Sequence, residues 1–161
     1  GNKLLIKGNH DYWWQSLSKM QCFESIFFIH NNYYKAGNLA VCGTRGWILP
    51  GNEDFRPEDE TIYIREKLRL ERSIELAKKD PEIESIVVGI HYPPLFRYQT
   101  ETLFNEVLRD PMIKHVVYGH LHDEESWEKA VKGNFEDKDF HLVSADYLDF
   151  TLKEIPLETS R

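Results

Sequence analysis

Hydrophobic positions fall into short unbroken runs separated by polar loops, plus one long stretch with helical spacing. Lys3 to Lys7 (KLLIK) is one such run and stops at Gly8, which predicts a buried strand feeding a loop. Asp11 to Met20 is rich in helix formers and carries Trp13 and Trp14. Asn31 to Lys35 and Leu39 to Gly43 flank a Gly37-Asn38 turn and predict a hairpin. The Gly, Pro, Asn and Asp content from Gly46 to Glu58 predicts a loop, long enough to suggest a role near a site. Ile64, Leu68, Leu70, Ile74 and Ala77 then recur among charges, which predicts a helix over about Asp59 to Lys79, closed by Pro81.

Ser85 to Ile90 (SIVVGI) and Ile113 to Tyr118 (IKHVVY) are β-branched and do not alternate with polar residues, as expected of strands buried on both faces. The first stops at His91-Tyr92-Pro93-Pro94 and the second at Gly119-His120-Leu121-His122. A helix is expected between them, over Thr100 to Arg109, and closing strands are expected within Phe140 to Ile155, from HLVSA and FTLKEI. The fold class is α/β with mixed sheets.

Composition adds limits to this picture. The chain has 161 residues, 41% hydrophobic and 29% charged, a globular balance in which a single domain is expected. No apolar run is long enough to span a bilayer, so no membrane partner is expected, and the compartment expected is cytoplasmic. Cys22 and Cys42, with no second pair, read as reduced core thiols. A net charge of -7 disfavours nucleic acid as a partner, because non-specific affinity for it rests on clustered Lys and Arg. Positive charge for any phosphate chemistry must then come from metal ions.

Three segments carry chemistry together: Gly8-Asn9-His10-Asp11, the His91 loop, and Gly119-His120-Leu121-His122. Each follows an apolar strand, so all three can meet at one edge of a sheet, where open α/β folds bind ligands. Amide oxygen and imidazole nitrogen suit manganese, iron or zinc. On an extended segment, His120 and His122 would point the same way. Any one of these signals alone is a polar turn or a packed histidine; the ordered set is what a structural explanation leaves unexplained. Arg45, at the end of a hairpin arm in Gly-Thr-Arg-Gly-Trp, is a candidate bidentate substrate donor, with Arg97 a weaker one. Trp13, Trp14, Trp47 and Tyr92 are candidate pocket walls, though such aromatics more often belong to core or rim. His30, His115 and His141 are read as structural.

The sequence resembles the calcineurin-like metallophosphoesterases, whose later blocks are a GNH(D/E) loop, one histidine after a strand, and a GHxH loop, in that order. KGNHDYWW, GTRGW, HYPP, YGHLH and SADYLDF are similar in particular to a bacterial phosphohydrolase subgroup, over nearly the whole chain. The resemblance implies a four-layer α/β/β/α sandwich and hydrolysis of a phosphate mono- or diester, with a small-molecule phosphate ester as substrate. Asn9, His91 and His120 would ligate one divalent metal (Mn, Fe or Zn) and His122 a second, a bridging hydroxide being the nucleophile. His10 would be the general acid, and Asp11 the partner that holds its tautomer.

The family's two earlier blocks, Asp-x-His and Gly-Asp-x-x-Asp, do not occur in the chain. The expectation is therefore a C-terminal portion of the domain, with weak metal occupancy, little activity on its own, and a homo-oligomer covering exposed edges. The competing readings are a catalytically inactive metal-binding or scaffold module, and a nuclease, which the acidic balance disfavours.

Overall fold

A computed structural model describes residues 1–21 and 23–157; the thiol of Cys22 lies outside the described residues. The chain forms a mixed α/β fold. Strands β3 (Tyr34–Ala36), β4 (Leu39–Thr44), β5 (Ser85–Ile90), β6 (Ile113–Tyr118), β8 (Lys138–Leu142) and β7 (Gly133–Phe135) make a six-stranded sheet in the order β3-β4-β5-β6-β8-β7. Its four central strands are parallel, and the outer hairpins β3–β4 and β7–β8 are antiparallel. A smaller sheet pairs β1 (Lys3–Ile6) in parallel with β2 (Ile26–Ile29).

One face of the large sheet carries the core. Ala40, Cys42, Ile86, Val88, Ile90, Val116, Tyr118, Phe140 and Leu142 pack there under α1 (Pro57–Lys78) and α2 (Leu103–Leu108). Helix α1 starts where Pro57 presets φ and the Asp59 carboxylate accepts from Arg56 N at 2.7 Å. Its buried stripe is Tyr63, Glu66, Leu70, Ser73, Ile74 and Ala77; Ile64 and Leu68, expected on that stripe, are exposed. The apolar spacing misled because Glu66 and Ser73 occupy core positions as hydrogen-bond partners of β4. Thr44 Oγ1 donates to Glu66 Oε2 at 2.7 Å, and Gly43 N donates to Ser73 Oγ at 3.2 Å.

The other face is where β1 lies, and it can approach because two glycines are paired in register, Gly43 with Gly89. A Cβ on Gly43 would stand 2.5 Å from the Gly89 carbonyl oxygen and 3.0 Å from Ile6 Cγ2. Ile6 therefore rests on bare backbone, and the end of β1 is carried over the ends of β4 and β5.

The Gly37 turn, β5 and β6 lie where the patterning placed them. Two further expectations did not hold. Asp11 to Met20 contains a single 3₁₀ turn, Leu17–Lys19, because the Asp11 side chain and backbone close their own local turns. FTLKEI is not a strand: after β8 the chain turns sharply, with Asp149 and Phe150 at φ 50° and 54°. Strand β2, the short β7 and helix α3 (Glu124–Lys129) had not been anticipated.

Candidate metal centre

The loops after β1, β5 and β6 meet at the C-terminal ends of the strands. After β1, Gly8 N donates to Asp11 Oδ2 at 2.6 Å and Tyr12 N to the His10 carbonyl at 2.9 Å, folding the loop tightly. Gly8 lies against the His91 ring: a Cβ there would meet Cε1 at 3.5 Å. After β5, both His91 N and Tyr92 N donate to the Arg45 carbonyl, at 3.1 and 3.0 Å, and Gly119 N donates to the His91 carbonyl at 3.2 Å. After β6, His120 takes the left-handed conformation at φ 71°. A non-glycine residue there is strained by about 1–3 kcal/mol, and such strain concentrates at functional sites.

These loops bring three donors together. His91 Nε2 stands 2.7 Å from Asn9 Oδ1 and 3.1 Å from His120 Nδ1. Tyr92 lies on the His120 ring, centroids 4.1 Å apart, which limits its rotation. Burial lowers the pKa of both histidines: His91 falls despite the opposing Asp11 charge, and His120 falls to about 4, with His91 beside it adding to the effect. Burial thus favours the neutral form of both imidazoles, the form in which a ring nitrogen can ligate a cation.

The remaining residues stand around this trio. His122 is largely exposed, its ring 6.3 Å from that of His120 and inclined by 64°. The segment carrying the two histidines is not extended, because His120 is left-handed. His10 is exposed at the rim, and a charge on it acts on both His91 and His120. The Asp11 carboxylate serves Gly8 N and the Trp13 indole N–H rather than the His10 ring, since the tight loop leaves those donors to be satisfied.

Arg45 has a partner within the protein. Its guanidinium donates to Glu66 Oε1 at 3.2 Å and lies 4.3 Å over Trp47, so the charge answers a buried carboxylate. It serves the histidine cluster through its carbonyl. Arg97 donates to the Ala130 carbonyl. Trp14 is buried, while Trp47 packs on Tyr92 with centroids 5.3 Å apart. His115 and His141 pair across β6 and β8 at 3.1 Å.

Sequence reasoning missed Asp146, which lies 3.1 Å from His122 Nδ1. Its SADYLDF segment carried no spacing signal, and only the parallel pairing of β6 with β8 brings the two residues together.

Donors around a divalent cation with bonds of about 2.0–2.2 Å stand roughly 3 Å apart, close to the separations of Asn9 Oδ1 and His120 Nδ1 from His91 Nε2. A mixture of amide oxygen and neutral imidazole suits a borderline divalent cation. Among the described residues no group of three or more His, Cys, Asp and Glu side chains is placed to hold a metal, so the trio depends on the Asn9 amide. An apolar groove of about 290 Å³ lies elsewhere, lined by residues such as Phe23, Phe27 and Met20, and holds no comparable donors among the described residues. No described helix is long and apolar enough to cross a membrane.

Fold and site thus define a mixed α/β protein with an imidazole and amide donor cluster at its strand ends. A family model described as calcineurin-like phosphoesterase matches residues 1–124, and the chain belongs to that family. Membership points to hydrolysis of phosphate esters and to divalent metals as the family's usual cofactors. No curated protein and no solved structure shows a significant match.

Proposed function

We propose that the protein hydrolyses a phosphate mono- or diester at the Asn9, His91 and His120 cluster with divalent metal. The convergence of Asn9 Oδ1, His91 Nε2 and His120 Nδ1 carries this reading. These three residues would hold one cation, and His122 would contribute to a second. When bound, such cations polarise phosphoryl oxygens and lower the pKa of water.

The chain's own groups do the rest. The Arg45 carbonyl and the Gly119 amide fix the main chain of His91, so its ring enters the site at a set angle. Tyr92 holds the His120 ring. His10, exposed at the rim, is the residue free to give a ring proton to the departing oxygen, a contribution of about 10²- to 10⁴-fold.

The test is Mn²⁺ binding by calorimetry, together with turnover of a chromogenic phosphodiester, in wild type, His91→Ala and His10→Ala. The reading expects low but measurable metal-dependent turnover, loss of binding in His91→Ala, and retained binding with turnover down about 10²- to 10⁴-fold in His10→Ala. A second reading, a metal-binding module without catalysis, draws on the shortage of acidic and imidazole ligands among the described residues. Binding without turnover in wild type selects that reading, and absence of binding rejects both.

A further inference from the structure

We propose that the cleft between Lys7, His30, Arg45 and Arg69 is an oxyanion site that takes one oxygen of a phosphate group. The cleft opens at the C-terminal ends of β1, β2 and β4, with Glu66 and Arg69 of α1 along its side. Three cations, Lys7, Arg45 and Arg69, stand there with one carboxylate, Glu66, which leaves two positive charges in excess. Glu66 is already engaged: Oε2 accepts from Thr44 Oγ1 at 2.7 Å and Oε1 from Arg45 Nη2 at 3.2 Å, while Arg69 Nε stands off at 3.9 Å. Asp11 counts least among the charges acting on Lys7, its carboxylate being bound to Gly8 N and the Trp13 indole.

The donors of this cluster are incompletely used. Arg45 Nε is buried with no hydrogen-bond partner among the described residues, and buried polar groups rarely go unpaired. Arg69 Nη1 rests beside the His30 ring, 3.3 and 3.1 Å from its two nitrogens. Burial, and then the charges of Arg69, Lys7 and Arg45, hold His30 below its ordinary pKa, so all three cations bear on one half-buried imidazole. An anion relieves this crowding, because charge-assisted N–H···O⁻ bonds are strong and guanidinium geometry matches phosphate. The open space is about 10 Å³, room for one water-sized atom, so a single oxygen enters and the rest of the anion stays at the mouth. Two excess positive charges favour a dianionic phosphate over a carboxylate. The cleft adjoins the donor cluster, since Lys7 lies two residues before Asn9 and the Arg45 carbonyl accepts from His91 N at 3.1 Å.

No metal takes part, so the test uses the metal-free protein in chelating buffer and is independent of the hydrolase reading. Inorganic phosphate is titrated by calorimetry into wild type, Lys7→Gln and Arg69→Gln. Lys114→Gln, exposed near the opposite end of β6, controls for the loss of one positive charge. The expected result is saturable binding in wild type, about 10- to 100-fold weaker in Lys7→Gln and Arg69→Gln, unchanged in Lys114→Gln, and weaker for acetate than for phosphate. Proton NMR of the His30 ring gives a second readout: saturating phosphate should raise its pKa in wild type, because added negative charge favours the imidazolium. Glycerol phosphate separates the sources of the ligand. Tighter binding than inorganic phosphate assigns the cleft to a phosphate carried on a larger molecule, weaker binding assigns it to the free anion, and either supports the site. Equal weakening by Lys114→Gln marks diffuse attraction and overturns the proposal. So does the absence of saturable binding, or a phosphate that moves the His91 and His120 signals and leaves those of His30 in place.

Discussion

Gly43 and Gly89 are partners in adjacent strands, yet alanine at the two positions should have opposite effects. At Gly43 the new Cβ would lie 2.5 Å from the Gly89 carbonyl oxygen, 3.0 Å from Ile6 Cγ2 and 3.4 Å from the Gly89 carbonyl carbon. Comfortable separations are about 3.5–4 Å, so β4 and β5 must part by roughly 1 Å to clear the carbonyl, and Ile6 must rise to clear its own contact. Parting the strands is opposed by the β4–β5 ladder and by the Gly43 N–H bond to buried Ser73. Overpacking of this kind costs about 1–3 kcal/mol. At Gly89 the nearest atoms would be Ile6 Cγ2 and Cδ1 at 3.7 and 3.8 Å, ordinary contact distances. There, replacing a flexible glycine within a strand should be neutral or stabilise by up to about 1 kcal/mol. Urea unfolding followed by tryptophan fluorescence measures both. If Ile6 rises, β1 carries Asn9 away from His91, so Gly43→Ala should also weaken Mn²⁺ binding while Gly89→Ala preserves it. Equal stabilities of the two variants, or a Gly43→Ala protein as stable as wild type, would refute the argument that glycine seats β1 on the sheet.

Glu66→Ala should destabilise the protein by about 3–5 kcal/mol in denaturant melts, because it leaves the largely buried Arg45 guanidinium without its carboxylate. Cys42 should stay unlabelled by thiol reagents in the native protein and label only on unfolding, since burial pushes its pKa up to about 12; mass mapping of the modified peptide checks this. Asp80 accepts from Lys35 at 2.9 Å, which holds its pKa below the ordinary carboxylate value. A depressed carboxylate stabilises the fold above its unfolded pKa, and that contribution disappears as pH falls through the folded pKa. Asp80→Asn should therefore be less stable than wild type at neutral pH, with the difference in urea midpoint closing below the unfolded carboxylate value.

The sequence was sufficient for what depends on local pattern. SIVVGI and IKHVVY could only be interior strands, because continuous β-branched runs need burial on both faces. Each ends in a glycine or histidine loop, so the site residues Asn9, His91 and His120 were legible as one ordered set before any coordinates. The phase of α1 was not legible, because Glu66 and Ser73 are core positions only through their bonds to Thr44 and Gly43, more than 20 residues away in the chain. Nor was the role of Arg45, whose guanidinium belongs to Glu66 and whose carbonyl belongs to His91. Residue types and their order determined which chemistry this protein carries. Which atoms meet, and whether His122 faces Asp146 or solvent, was decided by strand register and by the close approach of β1 over two glycines, because those contacts join positions far apart along the chain.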